Sequence, residues 1–159
     1  MIRKLSALLV LVVFILSACS GGGASSPSAA VEGFAQAIKD GDVKKAVDYM
    51  SDGTVENMSA MFDMFIEMAA EDPDAAAEME KELGISIDEL KGMEPRERLA
   101  TILENTGEED MFGEMGEFEI VSEEIDGDEA VVTIKTGDGE EEEITLIKEN
   151  GAWKIDIAF

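Results

Sequence analysis

The chain of 159 residues contains no histidine, one cysteine and one tyrosine. Without histidine, neither a Ser/His/Asp nor a Cys/His nucleophile can be assembled, because both use an imidazole as general base. A single cysteine, Cys19, cannot form a disulfide within the chain. Cations are also scarce, with 12 Lys and Arg against 37 Asp and Glu and a net charge of −25. Such a surface repels phosphate groups, which argues against a nucleic-acid-binding protein.

The first 18 residues differ in kind from the rest of the chain. Arg3 and Lys4 precede an apolar run from Leu5 to Leu16, which is interrupted only by Ser6 and Ala7. A transmembrane anchor is the alternative, but the run is shorter than the ~20 residues of a membrane span and no basic stop-transfer cluster follows. Residues 1–18 therefore predict a secretory signal peptide.

The end of this run resembles a known processing signal. Leu16, Ser17, Ala18 and Cys19 are similar to the lipobox of bacterial lipoproteins, in which an aliphatic and two small residues precede an obligatory cysteine. The resemblance implies a diacylglyceryl group on the Cys19 sulfur, cleavage before Cys19 and acylation of the new amino terminus. Several acyl chains would hold the protein on a lipid bilayer, since each buried CH₂ contributes about 0.8 kcal/mol.

Small residues dominate the segment that follows, residues 19–27, and predict a flexible tether after the lipidated cysteine. Ser20 stands where enterobacterial lipoproteins that are retained in the inner membrane carry an aspartate. The resemblance thus implies an exported protein on the periplasmic face of the outer membrane, in a two-membrane bacterium.

Apolar residues then recur at helical spacing up to about residue 105. Ser26 is a predicted N-cap with Pro27 in the first turn, and Gly41 and Asp42 predict the boundary to a second helix. A third helix is predicted over about Val55–Ala70. Further helices are predicted after the capping residues Asp72 and Ser86 and over about Pro95–Asn105.

From Glu117 the apolar period changes from 3.6 to 2. Four β-rich runs, EFEIVSEEI, EAVVTIK, EEITLIK and AWKIDIAF, are separated by the turn sequences DGD, TGDGE and ENG. They predict four sequential antiparallel strands, with Trp153, Ile155 and Ile157 on one face of the last. Helices segregated from such a sheet indicate an α+β domain.

The order of elements over residues 28–159 resembles bacterial lipoproteins of the nuclear transport factor 2-like, cystatin-like superfamily. DGD between the first helices, GDEAVVTI and NGAWKI carry the resemblance. It implies N-terminal helices packed on a curved four-stranded antiparallel sheet, forming a cone whose pocket serves catalysis, binding or dimerisation. An acidic helical insert, about residues 55–105, departs from the compact enzymes of the superfamily. The expected pocket-lining residues are Phe34, Tyr49, Phe62, Phe65, Trp153 and Ile155.

The favoured function is a non-catalytic binding or interaction module of the cell envelope, with no catalytic residue, metal or cofactor. Its expected partner is an envelope protein or a small apolar ligand, and a homodimer is compatible with the resemblance. The alternative is a pocket-carboxylate enzyme, isomerase-like or hydrolytic, with Tyr49 as donor and Asp48, Asp63 or Asp156 as acid.

A further alternative arises from the methionines of the third helix. Met61, Met64 and Met68 are soft thioether ligands, which suggests a copper(I) or redox buffer. Methionines at helical spacing beside Phe62 and Phe65 more often fill irregular core space, so the sequence favours a structural role for them.

Overall fold

The computed structural model describes residues 24–106 and 117–157, so the predicted signal peptide, the lipobox and Cys19 lie outside the described residues. Within this part of the chain, helices precede a four-stranded antiparallel sheet, which confirms the predicted α+β class. The elements are α1 (Pro27–Lys39), α2 (Val43–Asp48), α3 (Asp52–Ala70), α4 (Pro73–Leu83), α5 (Ile87–Gly92), α6 (Pro95–Thr106), β1 (Phe118–Asp126), β2 (Glu129–Thr136), β3 (Glu141–Glu149) and β4 (Ala152–Ile155).

Short polar side chains begin most of the helices. The Ser26 hydroxyl accepts from the Ala29 N–H, and the Asp42 carboxylate accepts from the Lys45 N–H, as the capping signals predict. Helix α3 begins earlier than predicted, because the Ser51 hydroxyl accepts from the Thr54 N–H at 2.9 Å.

The sheet follows the chain order β1-β2-β3-β4, with tight turns between neighbouring strands. Gly127, Gly139 and Gly151 have positive φ in these turns, which only glycine adopts at little cost. Strand β4 ends at Ile155, so the predicted alternation to Ile157 is wrong. The Ile157 N–H donates instead to the Thr54 side chain, and the Ile157 side chain is exposed.

The outer edge of β4 is occupied by two other parts of the chain. Ala24 forms an antiparallel bridge with Trp153, and Met50 forms a parallel bridge with Ile155. The folded domain therefore begins at least as early as Ala24, inside the segment that composition alone assigned to the tether. The N–H and carbonyl of Ala24 both bond to the main chain of Trp153, and its side chain packs against the main core.

One face of the sheet packs against the helices. Its inward residues join α1, α2, α3 and α6 in the main core, whose sheet members are Ala130, Val132, Ile134, Leu146, Trp153 and Ile155. A second core lies within the helical insert and is formed by Ile66, Ala69, Leu83, Ile87, Leu90 and Ile102. The insert thus has its own packing but shares α3 and α6 with the main core.

Candidate functional site

The residues expected to line a pocket mostly fill the core. Phe34, Trp153 and Ile155 are each at least 96% buried within the main core. Tyr49 packs at the edge of that core, and Phe62 packs against both cores. None of them is among the residues that line the groove or the smaller hollow described below.

Phe65 lies outside the core altogether. Its side chain is 49% exposed, so it does not pack inward with Phe62 as the helical spacing predicts. The α3 face that packs inward instead carries Met58, Phe62 and Ile66. Ile66 is the buried residue one position after Phe65, and helical geometry allows only one of these neighbours to point into the core.

The three neighbouring methionines are also exposed. The solvent-exposed fractions are 40% for Met61, 69% for Met64 and 62% for Met68. The interpretation that these methionines fill core space is therefore wrong. They lie on the same side of α3 as Phe65.

Two of the three carboxylates considered for an enzyme accept hydrogen bonds from other side chains. Asp63 accepts a hydrogen bond from the Arg98 guanidinium at 3.0 Å, and Asp156 accepts from the Ser51 hydroxyl at 2.6 Å. Asp48 ends α2, and its main-chain carbonyl accepts from the Lys154 ammonium. The three residues thus have different neighbours, and Tyr49 adjoins Asp48 in the chain.

Ser51 and Thr54 form a buried polar junction between α3 and the end of the sheet. Both residues are fully buried, and their hydroxyls lie 2.9 Å apart. The Ser51 N–H donates to the Ile155 carbonyl at 2.8 Å, and the Ser51 hydroxyl holds Asp156. The buried hydroxyls of Ser51 and Thr54 thus find hydrogen-bond partners within the junction, as buried polar groups generally do. The same bonds attach the start of α3 to the end of β4.

A groove of about 810 Å³ lies between α1 and the first half of β1. Helix α1 contributes its outward side to one wall, and the start of the edge strand forms the other. The lining residues are Ala29, Glu32, Gly33, Ala35, Gln36 and Lys39 of α1, with Glu117, Phe118, Glu119 and Ile120 at the strand.

A clamp joins the start of the helix to the strand beside the groove. The Glu123 carboxylate accepts from both the N–H and the hydroxyl of Ser28, at 2.8 and 2.5 Å. This places a negative charge at the amino end of α1, where the helix dipole stabilises it. The helix start is therefore fixed on the second half of β1, and the groove extends from there along the first half.

The Tyr49 ring supports the helix wall from behind. A Cβ atom added at Gly33 would lie 2.4 Å from both Cζ and the hydroxyl oxygen of Tyr49. Only a residue without a side chain allows the ring to lie so close to the helix. Gly33 thus explains how the helix and Tyr49 pack so tightly behind the groove wall.

The groove is acidic and borders an open strand edge. Glu32, Glu117 and Glu119 are its acidic lining residues, and Lys39 is the basic one. Phe118 and Ile120 pack inward, so strand alternation directs the Glu119 side chain to the opposite face of the strand edge. Among the described residues, β1 pairs only with β2, which leaves the polar main-chain groups of its other edge without strand partners. A β-bulge between Ile120 and Ser122 interrupts the strand at the end of the groove next to Glu123.

Sequence reasoning missed this groove. The alternating glutamates of EFEIVSEEI were interpreted only as part of a strand, and Gly33 only as part of an amphipathic helix. A glycine in the middle of an otherwise regular helix was the available signal, because it costs about 1 kcal/mol relative to alanine and therefore marks a close approach.

A second hollow, of about 380 Å³, lies at the other side of the helical layer. It is bordered by Lys44, Asp48, Glu94, Arg96, Glu97 and Ala100. The Arg96 guanidinium is already engaged there, since it donates to the carbonyls of Val47 and Met50 and forms an ion pair with Asp52 at 2.7 Å. The Arg96 side chain of this hollow therefore caps the end of α2.

The described residues contain neither a cluster of metal ligands nor a membrane-spanning helix. No three carboxylates among them converge on a point where a metal ion could bind. None of the helices in residues 24–106 and 117–157 has the length and apolar content needed to cross a bilayer.

Comparison with known families gives one match. The family model described as Domain of unknown function (DUF4878) matches the chain over residues 18–97 and again over residues 90–156. No curated protein and no solved structure matches the chain significantly.

Proposed function

Because this chain belongs to the family described as Domain of unknown function (DUF4878), we propose its function from its own residues. The protein is a lipoprotein anchored in the cell envelope, and its folded domain is a non-catalytic binding module. The groove between α1 and β1 binds an extended, positively charged segment of another envelope protein.

The anchor part of the proposal comes from the sequence. Cys19 follows an apolar run and three residues that fit a lipobox, and it is the only cysteine of the chain. Ala24 is already paired with Trp153, so five residue steps separate the anchor from the fold. At about 3.3 to 3.6 Å per residue, they span at most ~18 Å, which keeps the domain close to the bilayer.

The nuclear transport factor 2-like assignment is the fold part of the proposal. The order of elements supports it, since short helices precede a sequential four-stranded antiparallel sheet and cover one of its faces. Members of that superfamily use the space between helix and sheet for binding. The α1–β1 groove is the helix–sheet opening of this chain.

The acidic open edge beside the groove carries the binding proposal. An extended peptide can add to a free strand edge through main-chain hydrogen bonds, while its side chains enter the neighbouring groove. Glu32, Glu117 and Glu119 would attract lysine or arginine side chains of that peptide. The same carboxylates disfavour the small apolar ligand that the sequence left open, because burying them against an apolar molecule is costly.

The enzyme alternative has less support. Asp63 and Asp156 already accept hydrogen bonds from Arg98 and Ser51, and neither carboxylate lines the groove. The Tyr49 ring packs against Gly33 of α1 and is not among the residues that line the groove. This position favours a structural role for Tyr49 over that of a catalytic donor.

A peptide titration tests the binding proposal. The probe is a fluorescent nine-residue peptide of alternating valine and lysine, added to the full-length chain in a neutral detergent. Binding should weaken with added salt, and Glu119→Lys should raise Kd at least tenfold, because it replaces attraction by repulsion at the strand edge to which the peptide adds. Glu124→Lys is the matched control, since it makes the same change on β1 away from the groove.

A second peptide tests the strand-edge geometry. N-methyl groups on alternate residues remove the N–H donors of one peptide edge without changing its charge. If the methylated peptide binds as tightly as the parent, or if Glu124→Lys weakens binding as much as Glu119→Lys, the attraction is general and the proposed site is wrong.

A further inference from the structure

Four large apolar side chains are exposed on one side of α3. Met61, Met64, Phe65 and Met68 are each at least 40% exposed. Their spacings of three, four and seven residues place them along a single line on a helix. We call these four residues the methionine stripe.

The stripe is separate from the faces that α3 uses in the fold. Val55, Met58, Ile66 and Ala69 are the buried apolar side chains of this helix, and α4, α5 and α6 are its main packing neighbours. Helix α1 and strand β1, which form the groove, are not among these neighbours. An inference about the stripe therefore stands independently of the groove.

Exposed apolar side chains normally occur singly on a soluble domain, and a contiguous line of them marks an interaction surface. Methionine suits such a surface, because its unbranched thioether side chain adapts to different partners. Residues at positions i, i+3, i+4 and i+7 are also the anchor pattern by which one helix contacts another.

Charge around the stripe decides what can cover it. Helix α3 carries Asp52, Glu56, Asp63 and Glu67 and has no basic residue. Across residues 52–106 there are 15 carboxylates and four cations. Two of those cations, Arg96 and Arg98, are already paired with Asp52 and Asp63. The stripe therefore lies in a strongly negative field.

Three classes of occupant respond differently to this field. A second copy of the chain would bring together two α3 helices that each carry Glu56 and Glu67 and no basic residue, and like charges near each other are unfavourable. Anionic lipid headgroups would be repelled in the same way. A helix with an apolar face and flanking lysines or arginines complements both the stripe and its acidic surroundings.

We propose that the methionine stripe is a docking surface for a basic amphipathic helix of another protein. The apolar face of that helix would contact Met61, Met64, Phe65 and Met68. Its cations would lie near Glu56 and Glu67, which share α3 with the stripe.

The test uses an 18-residue fluorescent peptide of leucine and lysine in helical order, titrated into the full-length chain in neutral detergent. The double variant Met64→Gln/Phe65→Gln should raise Kd at least tenfold, because polar side chains remove the apolar contact. Val121→Gln/Ile125→Gln is the matched control, since it changes two similarly exposed apolar residues on β1. Melting curves should show that both double variants stay folded, as all four positions are exposed.

Three results would overturn the proposal. One is an equal loss of binding in the β1 control, which would place the contact elsewhere. Another is equal binding of a scrambled peptide with the same composition, which would reduce the effect to charge attraction. The third is self-association of the chain in sedimentation experiments that the Met64→Gln/Phe65→Gln variant abolishes, because the occupant would then be a second copy.

Discussion

The Tyr49 ring packs so close to Gly33 that any side chain at position 33 would overlap it. An added Cβ at Gly33 would lie 2.4 Å from the Cζ atom of Tyr49. Glycine in the middle of α1 costs about 1 kcal/mol of helix stability relative to alanine. The tight packing of the Tyr49 ring on the helix offsets this cost, and the pair thereby joins α1 to the end of α2.

This contact predicts that the effect of Gly33→Ala on the free energy of unfolding changes sign when Tyr49 is replaced by a smaller residue. In the natural chain the substitution should destabilise the fold by about 1 to 2 kcal/mol, because overpacking outweighs the gain in helix propensity. In a Tyr49→Leu background, which lacks the clashing ring atoms, the same substitution should stabilise by up to about 1 kcal/mol. Urea unfolding of the four chains of this double-mutant cycle measures the coupling. Additive effects would contradict the contact.

The core position of Trp153 gives a second prediction. Its side chain is 97% buried between the sheet and the helices. Trp153→Ala should cost about 3 to 5 kcal/mol, a large part of a typical domain stability of about 5 to 15 kcal/mol. Tyr49→Phe is a mild comparison, since it deletes only a hydroxyl and should cost at most about 1.5 kcal/mol. Melting curves that place Trp153→Ala within a few degrees of the natural chain would contradict the core assignment.

Ser51 at the start of α3 provides a third prediction. Ser51→Ala removes an N-cap and also leaves Thr54 and Asp156 without their shared partner. The free energy of unfolding should fall by an amount near the upper end of the range of about 0.5 to 2 kcal/mol that is typical for removing an N-cap. Ser86→Ala is the matched control, because Ser86 caps the short helix α5 at an exposed position. Chemical unfolding should show a smaller loss for the control. Equal losses would mean that the buried network adds nothing to the cap.

Lys154 predicts a dependence of stability on pH. Burial lowers the pKa of its ammonium below the ordinary value of 10.5, and the nearby Arg96 cation lowers this pKa further. The folded protein therefore releases this proton at a lower pH than the unfolded chain does. The destabilising effect is fully present below the folded pKa and is relieved as the pH rises from that value towards 10.5.

Lys154→Arg isolates this effect, because a guanidinium stays protonated throughout the range. The free energy of unfolding of the natural chain, relative to that of the variant, should increase from pH 8 towards 10.5. Urea unfolding at several pH values measures the difference. A difference that falls with rising pH would contradict the assignment of the Lys154 pKa.

Local chemistry explains which parts of the fold the sequence predicts. The caps Ser26, Asp42 and Ser86 and the turn glycines act within a few residues, so their structure follows from short segments. The start of α3 was placed too late, because the apolar period begins at Val55 whereas the cap at Ser51 is polar. Such errors concern boundaries and leave the order of elements intact.

The site depends on contacts that short segments do not contain. Apolar spacing along α3 fits inward positions 58, 62 and 65 as well as 58, 62 and 66, and packing in the insert selects Ile66. The groove requires α1 to lie against β1, about 90 residues later in the chain, through the clamp of Ser28 and Glu123. The apolar periodicity of a single helix or strand contains neither the selection of Ile66 over Phe65 nor the contact of α1 with β1.

The lipid anchor gives the last prediction. Cys19 is the only thiol of the chain, so Cys19→Ala removes every site for a thioether-linked diacylglyceryl group. Metabolic labelling with a fatty-acid analogue should label the natural chain and leave the variant unlabelled. The natural chain should also sediment with membranes, because its acyl chains bury many CH₂ groups at about 0.8 kcal/mol each. Ser20→Ala is the matched control, since it changes the neighbouring residue and keeps the thiol. Label retained by Cys19→Ala would refute the lipoprotein proposal while leaving the peptide-binding proposal to its own titration.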